Sequence, residues 1–330
     1  MIKIRTTRPL NELVNDFLQM AKDPKKGKIQ LKLTKARKHA PHNQSTFWNF
    51  LEDNLDTILV GNPDKIHKIA KEINLRFPFA NTRAKKLWKS LSSIFYYEGF
   101  RDNINEGWNA YWLASVLGID TCPYCNRLYT HTIIEGSKKI SRPQFDHFMD
   151  KASYPYLGVS FFNLIPSCSI CNSSLKGTQK FNPDTHVHPY IEGFGESIKF
   201  ILKIRDCSFF SGNTHSGEIR FKKEPSTSPL EQSLILRSER NITGFKLEEM
   251  YKQHIDYAQE QVYRALTYNS DYLDSLFQQF EGSLFRNKED LIRFVAANYI
   301  EEENLQNRPL SKLTRDIAEQ FGLWGSPGNI

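Results

Sequence analysis

The chain has 330 residues, of which 39% are apolar, 13% aromatic and 25% charged, a composition that excludes wholesale disorder. That length can bury a sizeable core and predicts two or three domains. The net charge of +7 is uneven, with basic side chains in excess over 1–120 and acidic ones in excess over 230–330. The basic end suits a polyanion, and the acidic end suits solvation or docking to a basic partner.

Lys3, Arg5, Arg8, Glu12 and Asp16 interrupt the first twenty residues. No signal peptide is expected there, and no later run approaches the roughly 20 apolar residues of a membrane span. The expected location is cytoplasmic, with no membrane partner. Leu10, Leu13, Val14, Phe17 and Leu18 then recur at helical spacing. A lysine-rich run from Lys22 to Lys38, interrupted by Pro24 and Gly27, predicts a surface loop or short elements. That run reads either as a solvated face or as a contact for nucleic acid. From Phe47 to Leu117 the period is helical again, and Trp108, Trp112 and Val116 read as core.

Past the cysteine-rich middle, Ile198–Ile204 and Glu218–Phe221 predict a β-hairpin, and Pro225–Pro229 a linker. Leu247, Tyr251, Ile255, Ala258, Val262 and Leu266 form an amphipathic stripe. Pro309 and Gly322 bracket a last helix carrying Leu310, Leu313, Ile317 and Phe321.

The chemistry concentrates between two Cys-x-x-Cys pairs, Cys122/Cys125 and Cys168/Cys171. In a reducing compartment such pairs have the spacing of a tetrahedral zinc site. Four thiolates leave no open coordination position, so this zinc is expected to be structural. Cys207 stands alone and reads as a small buried or idle thiol. Inside the bracket lie Asp146-His147, Asn163 and Asn172. These are an imidazole base, a carboxylate for a hard cation and amides to orient both. Arg142–Phe148 reads as a strand, so neighbours 146 and 147 should point to opposite faces. Arg127, Lys176 and Lys180 are candidate phosphate contacts.

Asp146-His147, Asn163 and Asn172, in this order between Cys-x-x-Cys pairs, resemble the HNH endonucleases. The resemblance covers roughly residues 120–180. It implies a ββα-metal fold holding one Mg²⁺ or Mn²⁺, with His147 as general base and Asp146 and Asn172 as metal ligands. Asn163 would orient the His147 ring or its loop. Because the third family position is Asn172 and not histidine, His186 or His188 are further candidates for the metal. Phe145-Asp-His-Phe, Asn163-Leu-Ile-Pro-Ser-Cys, His188-Pro-Tyr-Ile-Glu-Gly-Phe-Gly and Arg308-Pro-Leu-Ser-Lys-Leu-Thr further resemble the HNH subunits of Septu-type antiphage systems, also found with some retrons. That likeness implies a defence role beside an ABC-type ATPase subunit, or with a retron reverse transcriptase and its nucleic acid.

The expected fold class is α+β: a zinc-bracketed module at 116–195 between a basic helical region at 1–115 and a β-hairpin with acidic helices at 196–330. The expected activity is hydrolysis of phosphodiester bonds in DNA or RNA. The alternatives are a zinc-stabilised nucleic-acid or protein-binding adaptor without catalysis, and a standalone restriction-type endonuclease.

Overall fold

Apolar side chains three and four apart fold the first third of the chain into helices, as the periodicity requires. The computed structural model describes residues 1–78, 85–102 and 107–323. Within them the fold is α+β, helices with small antiparallel strand pairs. The chain forms two compact units, each built from separated segments. The N-terminal unit comprises Arg5–Ile119 and Thr130–Tyr190; the C-terminal unit comprises Met1–Ile4, Asp120–Tyr129 and Ile191–Ile330.

The N-terminal unit opens with α1 (Leu10–Lys22), α2 (Ile29–Lys38), α3 (Ser45–Asp53) and α4 (Leu55–Val60). It continues with α5 (Pro63–Arg76), α6 (Lys85–Ile94), α7 (Tyr97–Asp102) and α8 (Ala110–Leu117). The parts of the helical expectation at 79–84 and 103–106 lie outside the described residues. Helix α1 buries Leu13, Phe17 and Ala21. The Phe17 ring meets Trp108 at 4.8 Å and Phe161 at 5.3 Å, and Trp108 is core, as expected. Each such ring contributes about 1.5–3 kcal/mol by leaving water. Asn62 caps α5 by accepting from Lys65 N, with Pro63 in the first turn. Asn109 caps α8 likewise, and Gly118 at φ +59° ends it.

The lysine-rich run is not all loop. Its second half is α2, because Ile29 and Leu33, four apart, bury one face while the lysines keep the other. Next come β1 (Ile133–Glu135) and β2 (Lys138–Ser141), turned at Gly136 with φ +58°. The alternating pattern does not reveal this hairpin, since Ile133, Ile134 and Ile140 are all exposed. Strands β3 (Gln144–His147) and β4 (Leu164–Ser167) follow, and then a π-helical turn over Ile170–Lys176.

In the C-terminal unit, β5 (Ile198–Ile204) and β6 (Gly217–Lys223) pair antiparallel, with Ile198 opposite Lys223 and Ile204 opposite Gly217. The helices are α9 (Pro229–Gly244), α10 (Leu247–Tyr251), α11 (Ile255–Thr267), α12 (Ser270–Phe280), α13 (Lys288–Ala296) and α14 (Ser311–Gln320). Phe200, Leu202, Phe209 and Ile219 pack with Tyr251, Ala258, Val262, Leu313 and Ile317. The amphipathic stripe ends on buried Ala265, leaving Leu266 exposed. Pro309 lies outside the last helix, and Leu310, at φ +62°, stands between them. Cys207 is exposed, not buried. No helix among the described residues is long and apolar enough to cross a membrane.

Candidate functional site

Strands β3 and β4 pair antiparallel with Asp146 opposite Ile165 and His147 opposite Leu164. The long connection 148–163 must return the chain to this register, and Asn163 closes it. Its Oδ1 accepts from Met149 N at 2.7 Å, and its Nδ2 donates to Met149 O at 3.0 Å and Leu157 O at 3.1 Å. Asp150 tightens the middle of the same loop by accepting from the backbone of Ala152 and Ser153. An amide satisfying three buried backbone groups fixes where the next residues lie.

One of those residues is Gly158, whose carbonyl receives Nε2 of His147 at 2.9 Å. A carbonyl only accepts, so Nε2 carries the proton and the lone pair of the neutral ring is on Nδ1. Among the described residues Nδ1 has no hydrogen-bond partner. Tyr97 of α7 meets the imidazole edge-on at 4.4 Å. Burial pushes the His147 pKa down to about 4, opposed by the Gly158 bond, so the ring is neutral at pH 7. A neutral, oriented imidazole with one open lone pair can take a proton from water.

Asp146 faces the other way, toward the π-helical turn, as strand alternation requires. Its Oδ1 accepts from Lys176 Nζ at 2.8 Å, with both side chains buried. Lys176 also donates to His147 O and lies 5.2 Å from the Phe181 ring centre. The sequence makes Lys176 a candidate phosphate contact; the structure shows a buried ammonium spanning helix and strand. One turn earlier Asn172 donates to Gln144 Oε1 at 2.8 Å, joined by Ser173 Oγ at 3.1 Å. Residues 172 and 176 of the turn thus meet 144 and 146 of β3. Both candidate cation ligands, Asp146 and Asn172, lie along this seam. The donor set is thin, since Lys176 already neutralises Asp146.

The two further histidines are held by packing. His186 stacks on Phe181 at 3.7 Å, and its Nδ1 meets Thr185 Oγ1. His188 is buried against Phe148 at 4.3 Å, and burial pushes its pKa down to about 3. Neither forms with Asp146 a group of three metal-ligating side chains among the described residues.

The four cysteines do form such a group: Cys122, Cys125, Cys168 and Cys171 are buried, and their Sγ atoms all lie within 4.8 Å of one another. None is in a disulfide. Around the first pair, Asn126 at φ +50° returns its N–H to Cys122 O at 2.7 Å, while Cys122 N donates to Leu128 O. Around the second, Cys171 N donates to Cys168 Sγ at 3.4 Å, a contact that favours a thiolate. Four converging buried thiols suit a closed zinc site, in which four thiolates fill the tetrahedron.

Sequence reasoning missed Gln144, Tyr97 and Gly158, which position Asn172 and His147. Only the strand register and the loop closure bring them there. It also missed Asn126, which binds the segment ahead of α14. Its Nδ2 donates to Leu305 O and Arg308 O, and its Oδ1 accepts from Ser311 Oγ and Lys312 N. The one available signal was an asparagine directly after a Cys-x-x-Cys pair, where a left-handed residue is needed.

Over 75 residues the chain is 35% identical to "Protein ea31" of Escherichia phage lambda. The matched stretch is 22% of this chain and 22% of that protein, so this chain spans about a fifth of the relative's length. No family model and no solved structure matches the chain.

Proposed function

We propose that the chain is a metal-dependent endonuclease of the HNH type that hydrolyses phosphodiester bonds in DNA or RNA. The observation that carries this reading is the geometry of β3. Adjacent side chains diverge, His147 held neutral with Nδ1 open, and Asp146 turned to the seam that also carries Asn172. His147 Nδ1 would take the proton of the attacking water, a step worth roughly 10²–10⁴-fold. Asp146 and Asn172 would hold Mg²⁺ or Mn²⁺, which when bound supplies charge stabilisation at the phosphate and the leaving oxygen. Binding there requires Lys176 to share or yield its bond to Asp146. Asn163 keeps the loop closed and thereby aims Gly158 at His147. The cysteine group would hold a structural zinc. In the cell this nuclease would serve antiphage defence beside an ATPase partner, as the Septu-like motifs suggest.

One observation favours a second reading, a zinc-stabilised adaptor without catalysis: the ammonium of Lys176 occupies the carboxylate that a cation would need. Incubation of plasmid DNA and of structured RNA with Mg²⁺ or Mn²⁺ separates the two. The nuclease reading expects cleavage by the wild type and a loss of at least 10²-fold in His147→Ala with zinc retained. Equal rates in both proteins, or no cleavage by either, favour the adaptor.

A further inference from the structure

We infer that a cleft of the N-terminal unit between the α1–α2 loop, α2 and α7 binds a single strand of nucleic acid, by its phosphodiester backbone and one unstacked base. The inference rests on the nuclease reading for its role, but on its own observations for the binding. The cleft has a volume of about 580 Å³. Lys25, Lys26, Lys28 and Lys32 stand on one side, and Ile29, Ile94, Phe100 and Trp108 contribute apolar lining.

The lysines are held in place by a built loop. Asp23 Oδ1 accepts from Lys25 N at 2.7 Å and Lys26 N at 3.0 Å, and Lys28 adopts φ +60°. Gly27 lies so close to α1 that a Cβ there would be 2.3 Å from Ala21 O. None of the four ammonium groups forms an ion pair among the described residues. The two acids lining the cleft are already matched, Glu98 by Lys151 and Asp102 by Arg101. Among the described residues the cleft therefore presents an excess of positive charge, four lysines offset only in part by Asp23 beside Lys25 and Lys26. Lys32 donates to Ser93 O at 3.3 Å, and burial first, then the neighbouring Lys28, lowers its pKa.

Tyr96 supplies the aromatic element. It lines the cleft, is 51% exposed, and its ring is seated on Gly99, where a Cβ would come within 2.5 Å of the ring. Lysines beside an exposed ring are the parts of a single-strand site, where phosphates meet cations and a base stacks. A paired base in a duplex has no free face to offer. Val159, another lining residue, follows Gly158, the residue whose carbonyl receives His147. Helix α7 likewise carries Tyr97 against His147 and Phe100 into the cleft. A strand held in this cleft is thereby led toward the candidate base.

Fluorescence anisotropy with the full chain tests this, using labelled oligo-dT, oligo-U and a duplex, without Mg²⁺ or Mn²⁺ so that cleavage plays no part. The Lys25→Glu/Lys26→Glu/Lys28→Glu variant should bind the single strands at least 10-fold more weakly. Its plot of log affinity against log salt should be shallower by about two. Tyr96→Ala should weaken single strands roughly 5-fold or more and leave the duplex unchanged. Lys65→Glu/Lys68→Glu/Lys86→Glu, of the same net charge but outside the cleft, should bind more tightly than the cleft variant. The two single strands distinguish DNA from RNA. Wild-type affinity and salt slope in the cleft variant, equal losses in both triple variants, or no binding by the wild type overturns the inference. Loss of cleavage in His147→Ala with binding intact leaves it standing.

Discussion

Lys176 places a cation where solvent does not reach, and its three contacts explain how it stays there. Asp146 neutralises it, His147 O accepts from it, and Phe181 covers it. Removing one partner of a buried pair leaves an uncompensated charge, at a cost of about 3–5 kcal/mol. Lys176→Met should therefore lower the thermal midpoint, and Mn²⁺ should restore part of it if Asp146 faces a cation site. A midpoint indifferent to Mn²⁺ in the variant, read by calorimetry, removes Asp146 from the ligand set. His188 gives a pH test at the same scale. Its folded pKa of about 3 lies below the unfolded value of 6.5, so the unfolded chain protonates first as pH falls. The stability it contributes is complete above pH 6.5 and is lost toward pH 3. His188→Phe should lose less stability than the wild type between pH 7 and pH 5, by on the order of 2 kcal/mol. Identical pH dependence in urea melts would contradict that. Asp146 and His147 were legible from sequence because strand alternation alone sends them to opposite faces. The burial of Lys176 was not, since nothing local distinguishes it from an exposed lysine.

At the scale of elements, the cysteine-rich turn around residue 122 owes its shape to Asn126. Its backbone closes the turn on Cys122, and its side chain binds the chain on either side of Pro309. Asn126→Gly keeps the left-handed conformation but removes the side-chain bonds, whereas Asn126→Ala loses both. We expect losses of about 2–4 kcal/mol for glycine and about 1 kcal/mol more for alanine, measured by denaturant melts. Near-wild-type stability in both would mean these bonds do not hold the element. The same residue sets where α14 begins. The helix lies between Pro309 and Gly322 as expected, and because Leu310 N donates to Asn126 O and Leu310 sits at φ +62°, its first residue is Ser311. Periodicity revealed β5, β6 and most helices because each buries one face. The β1–β2 hairpin, with isoleucines exposed throughout, left no such pattern.

For the whole molecule, the units are assembled from discontinuous segments, an arrangement that composition along the chain does not encode. The cysteine group was legible because metal spacing is itself local. Four buried thiols this close could hold a zinc ion, and binding of that kind is worth on the order of 10 kcal/mol in small domains, which becomes folding stability. Metal analysis should find zinc in the purified protein, and a strong chelator or Cys125→Ser should lower its thermal midpoint. Protein without zinc at full stability would contradict the assignment.

The central claim is that the imidazole of residue 147 is the base for phosphodiester hydrolysis, and chemical rescue tests it most directly. His147→Gly leaves a hole beside Tyr97, and added imidazole should restore Mn²⁺-dependent cleavage that the variant alone lacks. Cleavage at the wild-type rate by His147→Gly without imidazole would contradict the account.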